Sequence, residues 1–206
     1  MRKAVKKVLV GAYLGVNRRV GPMIESVLSL SGDRSERPAH TPIFIVGAPR
    51  SGTTLTFQLV VHGFQPGYLT NTHCMMFGAP ALASLLLPKR NRSIAFESDY
   101  GRTLGRYGPS ECGEWWYRFF PRDPAFVQRK DISAKALAGF KRSLTALGTA
   151  EGRPLVFKNL YAGLRVDPIV AAFPDALFIH VRRDRLDNAV SILEGRTPEQ
   201  KEELIA

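Results

Sequence analysis

The chain has 206 residues, of which 45% are hydrophobic and 23% are charged, and its formal net charge is +11. This length suits one α/β domain and excludes two domains of ordinary size, while the composition is that of a globular protein rather than a disordered one. The excess of basic residues favours polyanionic partners, such as nucleotides, nucleic acid or an anionic membrane surface, without choosing among them.

Residues 1–40 predict a basic amphipathic helix followed by a linker. The basic run MRKAVKK precedes an apolar patch from Val8 to Val16. That patch is too short to cross about 30 Å of hydrocarbon, so we expect the helix either to pack on the domain with its lysines in water or to touch a membrane surface. Residues 31–38 are polar and form the linker, so residues 41–206 are the main domain.

The main domain opens with a strand and a glycine-rich loop. The apolar, β-branched run Ile43 to Val46 predicts a buried parallel strand, and a helix begins at Thr53 that Gly63 can end. Gly47 to Thr54 has the G-x-x-x-x-G spacing of a phosphate-binding loop, in which backbone N–H groups and a helix N-terminus hold an anion. The usual lysine is replaced by Thr53, which makes the loop poorly suited to metal-assisted ATP hydrolysis.

Residues 64–132 give no clear periodicity, although they contain the aromatic block 115–120, which suits either a pocket wall or the core. Regular patterns resume at Ser133, a helix N-cap. The later elements are a strand 155–157 ending at Lys158, a short helix through Ile169, a strand 176–181 and a helix from Leu186. Within the last strand, His180 alternates with apolar neighbours, and we expect a hydrogen-bonded core histidine.

A basic residue follows each of the three predicted strands, at Arg50, Lys158 and Arg183. Ligands of open parallel sheets bind at the carboxyl edge of the strands, so these cations predict a ligand with several negative charges. The predicted fold is a P-loop-type three-layer αβα domain with a parallel sheet, together with the N-terminal basic helix.

The cysteines and histidines give no metal-binding pattern. Cys74 and Cys112 match no C-x-x-C spacing, and the four histidines are scattered. We therefore expect no metal, and free thiols in a reducing compartment such as the cytoplasm.

Two sequence blocks resemble the sulfotransferases that use 3′-phosphoadenosine 5′-phosphosulfate (PAPS). PIFIVGAPRSGTT, at 42–54, is similar to the 5′-phosphosulfate loop of that family, and FIHVRRDRLDNAVS, at 178–191, is similar to its 3′-phosphate block. The resemblance implies transfer of a sulfuryl group from PAPS to a hydroxyl of a small molecule, lipid or glycan, with no metal required. The residues implied to hold the 5′-phosphosulfate are Arg50, Ser51, Gly52, Thr53 and Thr54. Those implied to hold the 3′-phosphate are Arg183 and Ser191, and Lys158 is implied to contact the bridging or sulfuryl oxygens.

The general base is the open part of this assignment. Many cytosolic members have a histidine two residues after the lysine, where this chain has Leu160. Glu111 is our first candidate, because bacterial-type members often carry a glutamate in a comparable segment, and Glu114 and His73 are the alternatives. Nothing after Glu194 resembles the basic loop that completes the family's nucleotide site, so we expect a fragment, a truncated paralogue or a minimal form, with a helix beginning near Pro198.

Three other functions remain open on the sequence alone. The chain could be a non-catalytic polyanion- or nucleotide-binding module, a truncated pseudoenzyme, or a P-loop small-molecule kinase. Thr53 in place of lysine argues against the kinase. The sequence also lacks the interleaved aromatic and basic residues of single-strand binders, so no nucleic-acid partner is expected.

Overall fold

The computed structural model describes residues 2–31, 38–87, 96, 98–99 and 102–196. The predicted linker falls largely outside these residues, and so does the helix predicted near Pro198. The α-helices of the described residues are α1 (Arg2–Gly15), α2 (Gly21–Ser31), α3 (Thr53–Phe64), α4 (Asn71–Met75), α5 (Pro80–Leu86), α6 (Gly113–Trp116), α7 (Ala134–Glu151), α8 (Val166–Ala172) and α9 (Arg185–Glu194). The strands are β1 (Ile43–Gly47), β2 (Gly67–Tyr68), β3 (Ser98–Asp99), β4 (Arg102–Thr103), β5 (Leu155–Lys158) and β6 (Leu177–Val181).

The main sheet is parallel and has the order β2-β5-β1-β6. The central strand β1 places Phe44 beside Phe157 of β5 and Phe178 of β6. The other two strands, β3 and β4, form a separate antiparallel hairpin. The predicted α/β fold with a parallel sheet is confirmed.

Helices cover both faces of this sheet because side chains alternate across it. Phe44 and Phe157 stack on one face, within a core that includes residues of α6, α7 and α8. On the other face, Ile45 packs with Phe57 and with Val61 of α3. The result is the helix, sheet and helix layering expected of this fold class.

Two predicted helix ends can be compared with the structure. Ser133 caps α7, since its side chain accepts a hydrogen bond from the backbone N–H of Ala136 at 3.1 Å. Gly63 does not end α3, which runs on to Phe64 and closes with Gln65 in the left-handed region at φ 52°. The closing N–H of Gln65 still reaches the Val61 carbonyl, as in a helix C-cap.

His180 is exposed, so the expectation of a core histidine was wrong. It lies on β6, the edge strand, which pairs with β1 on one side within the described residues. Leu177 and Ile179 on the same strand are also exposed. An alternating apolar pattern does not say whether a strand lies at the centre or the edge of its sheet.

The predicted N-terminal helix is present and longer than its apolar patch. Helix α1 continues through a π-helical turn, Val16–Val20, into α2. Helix α2 packs on α5 and α7. Among the described residues, none of the helices is both long enough and apolar enough to span a bilayer.

The face of this N-terminal helix that meets the domain has Leu14 and Leu28 packed against the core, and the buried residues between them are polar or small. Asn17 donates to the carbonyl oxygen of Met75 at 3.2 Å and accepts from the backbone N–H of Gly78 at 3.0 Å. The backbones of the helix and of the Gly78 turn are in close contact, since a Cβ on Gly21 would lie 2.6 Å from the Gly78 Cα.

Glu25 is the charged member of that face and enters a buried network. Its carboxylate accepts from the Arg118 guanidinium at 2.7 Å and from the Ser143 hydroxyl at 2.9 Å, and Ser143 accepts from the Trp115 indole N–H. Burial raises the pKa of the Glu25 carboxyl, and the bonds from Arg118 and Ser143 oppose that effect.

This network predicts a pH-dependent difference in stability between the wild type and Glu25→Gln. A raised pKa means that the folded state binds the Glu25 proton more tightly than the unfolded chain does, so stability from this group is lost as the pH rises above about 4.3, the ordinary glutamate value. Denaturant unfolding from pH 4 to pH 8 is expected to show the wild type losing stability relative to Glu25→Gln as the pH rises. The exposed carboxylate variant Glu114→Gln is the control, and a stability difference between wild type and Glu25→Gln that does not change with pH contradicts this account.

Candidate functional site

The glycine-rich loop joins the end of β1 to the start of α3 in a tight turn. Gly52 and Arg50 both adopt positive φ values, 98° and 64° respectively. Gly52 tolerates this region readily, whereas a left-handed arginine is uncommon and requires support from its surroundings. A Cβ on Gly47 would lie 2.6 Å from the Val181 carbonyl oxygen and 2.8 Å from the Ser51 hydroxyl, so only glycine fits there.

Helix α9 and the segment before it support the loop from the edge of the sheet. Asn188 donates its side-chain amide to the Pro49 carbonyl at 2.8 Å, and Arg183 donates to the Arg50 carbonyl at 3.4 Å. The Arg50 Nε donates in turn to the Ser191 hydroxyl at 3.2 Å. These contacts place the two predicted ligand-binding blocks, 141 residues apart at Arg50 and Ser191, against one another.

A cavity of about 530 Å³ lies between the loop and these later elements. Its lining comprises residues 49–55 together with Glu111, Lys158, Leu160, Arg183 and Ser191. The structure thus brings to one cavity the residues predicted for the donor site, together with the first candidate base: Arg50, Ser51, Gly52, Thr53, Thr54, Lys158, Arg183, Ser191 and Glu111. Among the described residues, the cations of this lining are Arg50, Lys158 and Arg183, and its one carboxylate is Glu111.

Lys158 and Glu111 form an ion pair in this cavity. Lys158 is buried at the end of β5, and the second carboxylate oxygen of Glu111 accepts from the backbone N–H of Leu160 at 2.8 Å. The Trp116 indole N–H donates to the Glu111 carbonyl at 3.1 Å and fixes the backbone there. Glu111 is therefore held beside the lysine by three separate contacts.

The other two candidate bases lie elsewhere. Glu114 pairs with Arg18 and Arg122 in a second cleft of about 690 Å³, between the N-terminal helix and α7. His73 is fully buried, with its ring nitrogens bonded to Thr70 and Ser84. Neither residue lines the loop cavity, so their positions give no support to a role as its base.

The aromatic block divides between core and surface. Trp115, Trp116 and Phe120 are core residues, whereas Tyr117 and Phe119 are half-buried and line the second cleft. Behind them lies Arg165, a fully buried guanidinium that contacts three aromatic rings and donates to the Pro121 carbonyl. Burial lowers the pKa of Arg165. The block is thus mainly structural and does not face the loop cavity.

Two contacts that hold the lining of the loop cavity were missed by reasoning from the sequence. The backbone N–H of Leu160 anchors Glu111, and no side-chain pattern could have indicated it. Asn188 supports the loop through the Pro49 carbonyl. It falls inside the block 178–191, so its position between Arg183 and Ser191 was the available signal.

Cys74 and Cys112 are both free cysteines in the structure. Across the described residues, no group of three or more histidine, cysteine, aspartate or glutamate side chains is arranged to hold a metal ion.

Comparisons with known proteins agree with this geometry. Residues 42–199 match the model of a family described as the sulfotransferase family. An uncharacterized protein of Aquifex aeolicus (strain VF5) is 30% identical over 154 residues, which cover 75% of this chain and 17% of that protein. The chain therefore spans only about a sixth of the length of this relative. No solved structure matches the chain.

Proposed function

The chain belongs to the sulfotransferase family, and we propose that it transfers a sulfuryl group from PAPS to a hydroxyl of a small-molecule, lipid or glycan acceptor. The observation that carries this proposal is the single cavity in which the loop, Lys158 and the Arg183–Ser191 pair meet. Its volume of about 530 Å³ lies in the range of pockets that enclose small ligands and cofactors.

The loop end of the cavity suits the 5′-phosphosulfate. The N-terminus of α3 and the surrounding backbone N–H groups favour an anion there. The Ser51 hydroxyl is buried and has no hydrogen-bond partner in the described structure, which fits a side chain awaiting an acceptor oxygen. Gly47, at which a Cβ would meet this hydroxyl, leaves the room that the turn requires. Thr53 and Thr54 line the same end.

The part of the cavity lined by Arg183 and Ser191, which contact Arg50 of the loop, suits the 3′-phosphate. Arg183 is exposed at the end of β6, and Ser191 lies one strand-to-helix connection later on α9. A guanidinium and a hydroxyl together provide charge and directional hydrogen bonds to phosphate oxygens. A phosphate at this position distinguishes PAPS from ATP, so this end would set donor specificity.

Lys158 and Glu111, which line the same cavity, provide the chemistry of the transfer. PAPS, when bound, supplies a sulfuryl group whose bond to the bridging phosphate oxygen breaks as the acceptor oxygen bonds to sulfur. Lys158 would then turn from Glu111 to the anionic oxygens in the cavity and stabilise the charge on the leaving phosphate. The Glu111 carboxylate, released from the lysine, would accept the proton of the acceptor hydroxyl. No metal is included in this proposal.

Binding of adenosine 3′,5′-bisphosphate tests the donor site directly. Calorimetric titration is expected to show micromolar affinity for the bisphosphate and much weaker affinity for ATP. Arg183→Ala is expected to weaken bisphosphate binding by about 10-fold to 100-fold, because a charge-assisted hydrogen bond is lost. The neighbouring Arg182→Ala is the matched control, since Arg182 does not line the cavity.

Equal affinity for ATP and the bisphosphate would contradict the proposal that PAPS is the donor. Equal losses in Arg182→Ala and Arg183→Ala would also count against the proposed 3′-phosphate site, because nonspecific positive charge would then explain the binding.

A further inference from the structure

The N-terminal helix packs Leu14 and Leu28 on the domain but exposes most of its other described apolar side chains to solvent. Along the helix, exposed apolar residues recur at alternating intervals of four and three residues, and each is between 42% and 69% exposed. This apolar stripe consists of Leu9, Tyr13, Val16, Val20, Met23 and Val27. A surface helix ordinarily turns its apolar stripe toward the core, so a second apolar stripe that is exposed along the helix is unusual.

The contacts on the opposite side of the helix hold the stripe in this exposed orientation. Asn17, Gly21 and Glu25 are buried and use hydrogen bonds, an ion pair and close backbone contact to attach the helix to the domain. Tyr13 of the stripe also touches the domain, through its ring edge on Phe77 and its hydroxyl on the Cys74 carbonyl. The helix therefore cannot rotate to bury the stripe without breaking these contacts.

The charge of the helix indicates which kind of partner binds the apolar stripe. Residues 2–31 include six basic residues and one acidic residue, and the acidic one is Glu25, which is buried against Arg118. Arg18 is paired with Glu114, but a second copy of this chain would bring the exposed Arg19 near the like charge of its partner, with no exposed acidic side chain on either helix to offset it. An anionic lipid surface supplies both an apolar layer for the stripe and negative headgroups for the basic residues.

We propose that the apolar stripe binds an anionic membrane surface, with the helix lying in the plane of the interface. The stripe runs for about 27 Å at 1.5 Å per residue, which is long enough to anchor a peripheral protein when electrostatic attraction is added. The helix inserts its apolar side chains at the level of the headgroups while the domain stays in water. This surface is separate from the loop cavity, and the inference does not depend on sulfuryl transfer.

Vesicle co-sedimentation of the full chain tests this inference. The wild type is expected to bind vesicles of phosphatidylcholine with about 30% phosphatidylserine and to bind pure phosphatidylcholine much more weakly. The double variant Val16→Glu/Met23→Glu is expected to lower the partition coefficient by about tenfold or more. The control variant Leu59→Glu/Phe64→Glu makes the same charge change at exposed apolar positions of α3. It is expected to bind the anionic vesicles nearly as well as the wild type does.

Three results overturn the inference. The first is a stripe variant that binds as well as the control, and the second is equal binding to neutral and anionic vesicles. The third is a wild-type dimer, in analytical ultracentrifugation without lipid, that the stripe variant dissociates, which would assign the stripe to a second copy. Because all the substituted residues are exposed, circular dichroism is expected to show unchanged helix content in the variants.

The salt dependence tests the electrostatic part of the inference separately. Vesicle binding by the wild type that persists in about 0.5 M salt would contradict that part.

Discussion

Replacing Glu111 with glutamine is expected to lower kcat by about 10²-fold to 10⁴-fold, the usual contribution of a general base. Glutamine keeps the size of the side chain and can still accept from the Leu160 N–H, but it cannot take the acceptor proton. Affinity for adenosine 3′,5′-bisphosphate is expected to be retained or to increase, since Lys158 loses its carboxylate partner. Turnover of PAPS with phenolic, glycan and lipid hydroxyl acceptors, combined with calorimetry, measures both quantities.

Glu114→Gln is the matched control for this experiment. Glu114 is the same residue type three positions later, but it lies in the second cleft between Arg18 and Arg122. Its replacement is expected to change kcat by less than about threefold, as for an exposed ion pair. Full turnover by Glu111→Gln would contradict the assignment of Glu111 as the base. Equal losses of kcat in the two variants would indicate a general effect on the fold.

Replacing Gly47 with alanine is expected to destabilise the protein and to abolish donor binding together. The added Cβ would lie 2.6 Å from the Val181 carbonyl oxygen and 2.8 Å from the Ser51 hydroxyl. Overpacking of this kind costs about 1–3 kcal/mol of unfolding free energy. Relief of the clash moves the loop or β6, and either shift separates the two ends of the cavity.

Gly63→Ala provides the internal comparison for this prediction. Gly63 lies in α3 with open space where the Cβ of an alanine would stand, and glycine inside a helix is less stable than alanine by up to about 1 kcal/mol. This variant is expected to unfold at the same or a higher denaturant concentration and to bind the bisphosphate normally. Normal bisphosphate binding by Gly47→Ala would show that the loop geometry is not required for the site.

Local signals in the sequence predicted the elements that carry the cavity. The apolar run before Gly47 and the glycine spacing after it are local features, so β1, the loop and the start of α3 could be read directly. The eight-residue interval from Arg183 to Ser191 gave the second block in the same way. Each block contains the carboxyl end of a strand. The strands of a parallel sheet have these ends at the same edge, so the two blocks lie together.

Other parts of the site depend on contacts between distant residues and carried no local signal. Glu111 follows no periodic segment, and it reaches Lys158 only because Trp116 anchors the short α6 against the sheet. His73 differs, because Thr70 and His73 form a capping box with the spacing of a helix N-terminus. That spacing is a local signal, and it favours a structural histidine.

The N-terminal helix shows how polarity can mislead. Asn17 and Glu25 look like solvent-facing positions, and the apolar patch looks like the side that packs on the domain. The close approach of Gly21 to Gly78 instead buries Asn17 and Glu25 beside Leu14 and Leu28, because a narrow contact between backbones is satisfied by small and hydrogen-bonding side chains. Only the three-dimensional partner of a helix decides which of its faces is buried.

The bonds that join the loop to α9 have a consequence for affinity. Since Arg50 is tied to Ser191, and Pro49 to Asn188, the two phosphate-binding ends proposed here are fixed at one separation before a nucleotide arrives. A ligand carrying both phosphates then gains a chelate advantage, because its second group binds at a high effective concentration and the protein does not have to rearrange to meet it. Adenosine with either phosphate alone engages one of the two phosphate-binding ends and forfeits that gain.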